Sequence, residues 1–387
     1  MIQNTTPTGR PDGRLFFDDV TRDLAIDILL DGPISRADLA RRHDLAPGTV
    51  TRLVAPLLKA GLVIEAEASD GLPAGKLGRP SKPLSFATDT HRFIGLKLSG
   101  DAVGGVLVDV AAQVLRSSEV ALPGKDVATV VDTIAALVRP LSDGVEPAAI
   151  GIGLGGGVAG DNLVQRAPFL GWQDVPLGSL VADRLGVPAI VTNDVAGLTE
   201  AEHWFGAGHG LGSFAVITLG VGVGYGLVSH GRLVQSPDYG VGLIGHMPLD
   251  PLGPLCTQGH RGCAAAMLTD SGVASAMSAA LGRPVGFDEG LDLALDGDPA
   301  ARAVVAASGR ALGKLVATVA NIAMPARIIV TGEAVRLAEL GAREVAEGVR
   351  ADREPLADEV DYIVEPAGLS DWARGAAVIA IQRFMLG

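Results

Sequence analysis

The chain has 387 residues, 48% of them apolar, with two cysteines and a formal net charge of −13. That length allows two or three domains with a substantial core. The apolar share excludes a disordered class, and two cysteines make no disulfide framework.

The opening MIQNTTPTGRPDGR lacks the apolar centre of a secretory leader, so residues 1–17 read as a flexible tail. The uncharged run GLGSFAVITLGVGVGYGLVS alternates like two buried strands and carries too many glycines for a bilayer helix. The expectation is a cytoplasmic protein with no membrane partner. Residues 1–90 hold 11 Lys and Arg against 12 Asp and Glu, so the acidic surplus lies further on. Between 71 and 88 stand Lys76, Arg79 and Lys82 with no acid. Local charge decides phosphate binding, so the acidic total does not exclude DNA.

Residues 18–88 read as one module of three helices and a hairpin. Val20, Leu24, Ile28 and Leu29 keep helical spacing before Gly32-Pro33 ends the first helix. Ser35 is placed to cap a second, short helix containing Leu39 and Ala40. A third helix follows HDLAPGT with Val50, Leu53, Val54 and Leu57 on one face. Pro56 should end it, because proline removes a helical hydrogen bond. The opposite face offers Thr49, Thr51 and Arg52, short polar groups plus a cation suited to a major groove.

The hairpin tip KLGRPSKP holds Arg79 between Gly78 and Pro80, where it can enter a narrow minor groove. The expected DNA-contacting set is Ser35, Arg36, Pro47, Gly48, Thr49, Thr51 and Arg52 from the helices, with Lys76, Gly78, Arg79, Pro80 and Lys82 from the wing. The alternative is a packing module with a solvated basic loop; the basic tip favours a winged helix-turn-helix that binds double-stranded operator DNA.

From residue 92 strand and helix patterns alternate. A three-strand meander, a helix near 126–139, a strand at 149–154, a helix at 176–185, the strand PAIVTND and a helix at 195–205 form one half, residues 89–208. The other, 209–387, repeats a glycine-rich hairpin, a long helix near 299–322, the strand RIIVTG, another helix, the strand DYIVEP and a helix over 371–385. Two similar α/β halves imply a duplication with a ligand cleft between them.

The stretches RAPFLGWQDVPL, PAIVTNDVAGLTEAEHWFGAG, LGVGVGYGLVSHGRLV, IGHMP…C…GHRGC and NIAMPARIIVTG, in this order, resemble the ROK family of repressors, open reading frames and kinases. The resemblance is closest to the repressor branch, given the winged module. It implies an actin-like (ribonuclease H-like) duplicated α/β fold around a sugar cleft, and an oligomer, a homodimer or a dimer of dimers.

It also implies which cleft residues to compare. In the kinases' phosphate loop, Lys97 stands at the aspartate position and Asp101 at the threonine, and Glu333 replaces a glycine against adenosine. A carboxylate facing phosphates costs at least ~1 kcal/mol and a lysine holds no magnesium. No ATP binding and no kinase activity are therefore expected. Asn193 and Asp194 match the pair that binds sugar hydroxyls, the aspartate being the kinases' base; Asp194 can also cap the following helix, the two roles can coexist, and ligand contact is the favoured reading. Leu243 and Ala265 stand where glutamates are expected, Phe169 where an asparagine often lies, and Gly155 precedes the pair Gly156 and Gly157 in place of a proline. Each lost partner costs a sugar hydroxyl roughly 1–3 kcal/mol. The expected ligand set is Gly156, Gly157, Phe169, Asn193, Asp194, Leu243 and His246, for a less polar or modified sugar-like effector, or for none.

In the family a histidine and three cysteines hold zinc. Here His246, Cys256 and Cys263 match, while Gln258 replaces the middle cysteine, and a neutral amide is a poor zinc ligand. His260 can serve as the fourth. A zinc site and an unliganded loop with two free thiols both stay open. The competing functional readings are a sugar kinase with an accessory domain and a regulator answering to a protein partner.

Overall fold

The computed structural model describes residues 18–66, 82–236, 238–240 and 242–386. Of the expected DNA contacts, Lys76, Gly78, Arg79 and Pro80 lie outside these residues.

Helix α1 (Asp19–Asp31) is capped by Asp18 and buries Thr21, Leu24, Ala25, Ile28 and Leu29. Val20, expected on that face, is 41% exposed, because the buried stripe starts one position later at Thr21. Helix α2 (Arg36–Arg42) is capped by Ser35, whose hydroxyl accepts the Asp38 N–H. Helix α3 (Pro47–Lys59) buries Val50, Leu53, Val54 and Leu57 as its spacing predicts. It does not stop at Pro56. Proline forfeits one helical bond there, yet fully buried Leu57 anchors the next turn and the Ala60 N–H closes it on the Pro56 carbonyl at 2.9 Å. Strands β1 (Val63–Glu65) and β2 (Leu84–Phe86) pair antiparallel, Val63 opposite Phe86, and form the base of the wing.

The next sheet opens with the meander β3 (Arg92–Leu98), β4 (Ala102–Asp109) and β5 (Val114–Ala121). Helix α4 (Val127–Ser142) runs past the expected 139 and crosses back to β6 (Ala149–Leu154). A small sheet of β7 (Gly157–Ala159), β8 (Leu163–Ala167) and β9 (Trp172–Val175), missed by the sequence reading, comes before α5 (Leu177–Leu185). Its strands are too short to show a clear period. Strand β10 (Ala189–Asn193) then runs directly into α6 (Asp194–Phe205).

The plan repeats with β11 (Ser213–Leu219), β12 (Val223–Ser229) and β13 (Arg232–Leu233). Helices α7 (Ala264–Leu268), α8 (Asp270–Leu281) and α9 (Phe287–Leu295) surround α10 (Pro299–Ala323). Strand β14 (Ile328–Thr331), helices α11 (Arg336–Leu340) and α12 (Ala342–Asp352), strand β15 (Tyr362–Val364) and helix α13 (Leu369–Leu386) complete the chain. Helix α10 is long and apolar enough by composition to cross a membrane, but 61% of that stretch is buried as a core helix.

The two large sheets run β10-β6-β3-β4-β5 and β13-β12-β11-β14-β15. Each is a meander whose first strand pairs in parallel with a fourth strand, which pairs in parallel with a fifth, so the order is the same in both and the duplication is explicit. Helix α13 crosses back onto the first sheet. It fits because β3 and β6 present glycines beneath it: a Cβ on Gly95 would lie 1.9 Å from the Ala373 carbonyl oxygen, and one on Gly151 1.9 Å from that of Ala376. Its far end, with Ile381, Phe384 and Met385, shares one apolar cluster with Leu24 and Ile28 of α1 and Trp204 of α6.

Replacing Gly151 by alanine therefore drives a methyl group into backbone. We expect Gly151→Ala to destabilise the chain by about 1–3 kcal/mol or more in urea unfolding, the usual cost of overpacking. An unchanged midpoint would show that α13 is free to move away from the sheet.

Candidate functional site

The third helix of the winged module presents an open face. Pro47, Gly48, Thr51 and Arg52 are exposed, and Thr49 is half-buried. Ala46 precedes the helix without a side-chain cap; Pro47 has no N–H and the Thr49 N–H bonds the Ala46 carbonyl at 2.8 Å, which leaves the Gly48 N–H to face a phosphate. Thr51 donates to the Pro47 carbonyl at 3.0 Å and remains on the surface. Arg36 is otherwise engaged: it bonds Glu65 at 2.8 Å and the Lys82 carbonyl at 3.2 Å, tying α2 to the wing base. Lys82 is exposed, 3.8 Å from Glu65, and Ser35 serves as the α2 cap.

In the cleft, Lys97 near the end of β3 is ion-paired with Asp194 at the start of α6; their side chains are 11% and 12% exposed. Asn193, not Asp194, caps α6, its Oδ1 accepting the Ala196 N–H at 3.1 Å. This corrects the reading of Asp194 as the cap: the strand-to-helix turn puts the β-conformation one residue earlier. The remaining Asn193 donor goes to the Gly156 carbonyl at 3.0 Å, and Asp194 also accepts the Val195 N–H at 2.9 Å. Asn193 and Asp194 thus have their polar atoms on groups of the protein itself, Asp194 with its oxygens on a lysine and a backbone amide.

The Lys97 ammonium also lies 4.7 Å from the centre of the Trp372 ring, a cation–π contact. Across the cleft Glu333 follows β14, its Oε2 2.6 Å from where a Cβ on Gly220 would stand. Its side chain is open to water but walled by protein, and that desolvation pushes its carboxyl above the ordinary range, against the pull of Lys97. Asp101 accepts from the Ser99 hydroxyl at 2.8 Å.

Phe169 is 52% exposed, held by Lys125 on its carbonyl at 2.8 Å, with its ring over Gly155. Gly156 has φ +154, and a Cβ there would lie 2.1 Å from the Arg166 carbonyl oxygen, so only glycine fits; Gly157 opens β7. Gly240 packs onto the Gly156 carbonyl and the Asn193 amide, and Leu243 nearby in the chain is 70% exposed. Neither Trp372 nor Tyr239 was foreseen. They are the only described residues with a buried side-chain polar atom lacking a partner, and burial pushes the Tyr239 hydroxyl well up. No local spacing marks them, since each reaches the cleft from a distant part of the chain.

The structure brings His246, Cys256, His260 and Cys263 together, with all four donor atoms within 4.8 Å of one another. The sulfur-to-nitrogen separations are 3.8 Å for Cys256–His246, 3.7 Å for Cys256–His260 and 3.6 Å for Cys263–His246. A tetrahedral zinc with ordinary bond lengths requires edges of about 3.5 Å, so the set fits that ion. Desolvation opposes ionisation of Cys256, but the N–H groups of Gln258 and His260 outweigh it and bring the thiol down to about 7. The backbone turn Cys256 N–H to His260 carbonyl, 2.9 Å, is what brings His260 alongside.

These features describe a winged helix joined to a duplicated, actin-like α/β body with a cleft and a His/Cys cluster beside it. The family model described as ROK family matches residues 93–383, and the chain belongs to the ROK family. The DNA-binding transcriptional repressor Mlc of Escherichia coli K12 is 28% identical over 342 residues, covering 84% of this chain and 83% of that protein. A solved ROK family transcriptional regulator, described as a homologue of the Escherichia coli Mlc protein, superposes with a TM-score of 0.79 at 23% identity, covering 95% of this chain and 97% of that one. A ROK glucokinase from Streptomyces griseus, solved with glucose and AMPPNP, gives 0.64 at 26% identity over 74% of this chain and 98% of its own.

Removing Lys97 strands the nearly buried Asp194 charge. Lys97→Met should cost about 3 kcal/mol or more in denaturant unfolding, with a large part recovered in the Lys97→Met/Asp194→Asn double variant. Additive losses would mean that the two residues do not interact.

Proposed function

We propose that this chain is a cytoplasmic transcriptional repressor of carbohydrate-related genes, acting on double-stranded operator DNA as a homodimer or dimer of dimers. One observation carries the choice of regulator over kinase. Asp194, at the position of the family's catalytic base, is ion-paired to Lys97, and Lys97 itself stands at the phosphate loop. Residues 18–88 are the DNA-binding domain, after a tail of 1–17, and residues 89–208 and 209–387 are the halves of the ROK body. Helix α3 would lie in the major groove through Thr49, Thr51 and Arg52, its N-terminus at a phosphate and Arg79 in the adjacent minor groove.

The effector is a sugar-like molecule with an apolar face or substituent. Exposed Phe169 and Leu243 favour it, because they offer stacking area where relatives offer hydrogen bonds. A second reading, a regulator without a sugar effector, is favoured by Asn193 and Asp194 being satisfied internally. Zinc, held by His246, Cys256, His260 and Cys263, would act as a structural clip fixing the loop beside the cleft.

Fluorescence anisotropy on the DNA upstream of the protein's own gene tests the reading. Nanomolar-range binding is expected; Arg52→Ala and Arg79→Ala should each weaken it about tenfold or more with unchanged circular dichroism. Unmodified glucose or N-acetylglucosamine should leave the complex intact. ATP-dependent phosphorylation of a hexose would overturn the assignment. For the clip, mass spectrometry of purified protein should find about one zinc per chain, and little in His260→Ala; equal metal in both would remove His260 from the ligand set.

A further inference from the structure

Two helices run from the cleft to the winged module, and Lys97 touches the start of both. Its ammonium is bonded to Asp194, the first residue of α6, and stands 4.7 Å over Trp372 in the first turn of α13. The 12 residues of α6 span roughly 18 Å. Along the way the helices interlock. A Cβ on Gly375 would stand 2.7 Å from the Gly197 backbone, and Gln382 donates to Glu200 at 2.8 Å. Backbones this close leave little room to slide independently, so the pair moves as one body.

At the far end Trp204 of α6 and Phe384 of α13 belong to the apolar cluster that also holds Leu24 and Ile28 of α1, and α13 contacts α1. In the loop after α6, His209 Nε2 lies 3.1 Å from Asp31 Oδ1, at the last residue of α1. Asp31 also binds Arg42, the last residue of α2. Arg42 and His43 in turn reach Asp27 at 3.6 and 3.0 Å, and the short turn after them leads into α3. An unbroken set of contacts therefore runs from Lys97 to the element before the recognition helix.

We infer that the α6–α13 pair is a strut that transmits the state of the Lys97 site to the winged module, with His209–Asp31 as its joint. His209 is a positioning residue: it acts on the DNA module through Asp31 and Arg42. The inference rests on the proposed role of residues 18–88, but its test uses neither operator nor effector, so the two fail separately.

Hydrogen–deuterium exchange is measured on the full chain at short labelling times, with Lys97→Met as the perturbation. Exchange over residues 19–43 should rise about threefold or more, in keeping with the modest coupling that partly exposed contacts carry. Helices α10 and α12 should exchange as before. The same substitution in a His209→Ala background should lose that increment, and His209→Gln, which keeps a donor, should retain it. Should Lys97→Met not fold, Asp194→Asn breaks the same pair, keeps the Asn193 cap and carries the same comparison. Wild-type exchange over 19–43, a uniform rise across the chain, or an increment that survives in His209→Ala overturns the inference.

Discussion

The architecture depends on how closely α13 approaches the first sheet. The last helix in the chain lies on the strands of the first half with almost no side chain between backbones, over Gly95 and Gly151 and beside Gly197. Glycines give up side-chain burial and lose more conformational entropy on folding than other residues. What they allow here is a direct contact that brings Trp372 to the cleft at one end and Phe384 to the winged module at the other. The chain's final segment thereby joins regions that sequence separates by hundreds of residues.

The cleft follows an electrostatic logic set by that geometry. The chain sets Lys97 in the cleft, pairs it with Asp194 and places Glu333 within reach of both charges. Taking such charges out of water is costly unless they are matched, and the nearly buried Lys97–Asp194 pair meets that condition within the protein. Phe169, whose ring lies over Gly155, and Leu243 remain exposed.

Much of the fold was legible because its elements announce themselves by period. The buried faces of α1 and α3, the Ser35 cap, the meanders and the crossover strands all follow from apolar spacing and turn residues. The failures were also physical. Pro56 ended nothing, because tertiary burial of Leu57 outweighed one lost hydrogen bond. The cap of α6 fell on Asn193 because a strand feeds the helix without a loop. The small sheet of β7 to β9 was missed because strands this short carry little pattern.

The sequence by itself determined the winged module, the duplicated α/β plan and the ROK resemblance, since all of these are written in local spacing and in residue type. Only the tertiary structure decided what the substituted residues do. Lys97 and Asp194 are 97 positions apart, and nothing in either neighbourhood says that they meet. The four donors of the His/Cys cluster were nameable, but their common distance depends on a folded turn. Charge pairing, ligand geometry and the contact between His209 and Asp31 arise from long-range packing, and packing is a property of the whole core rather than of any one stretch.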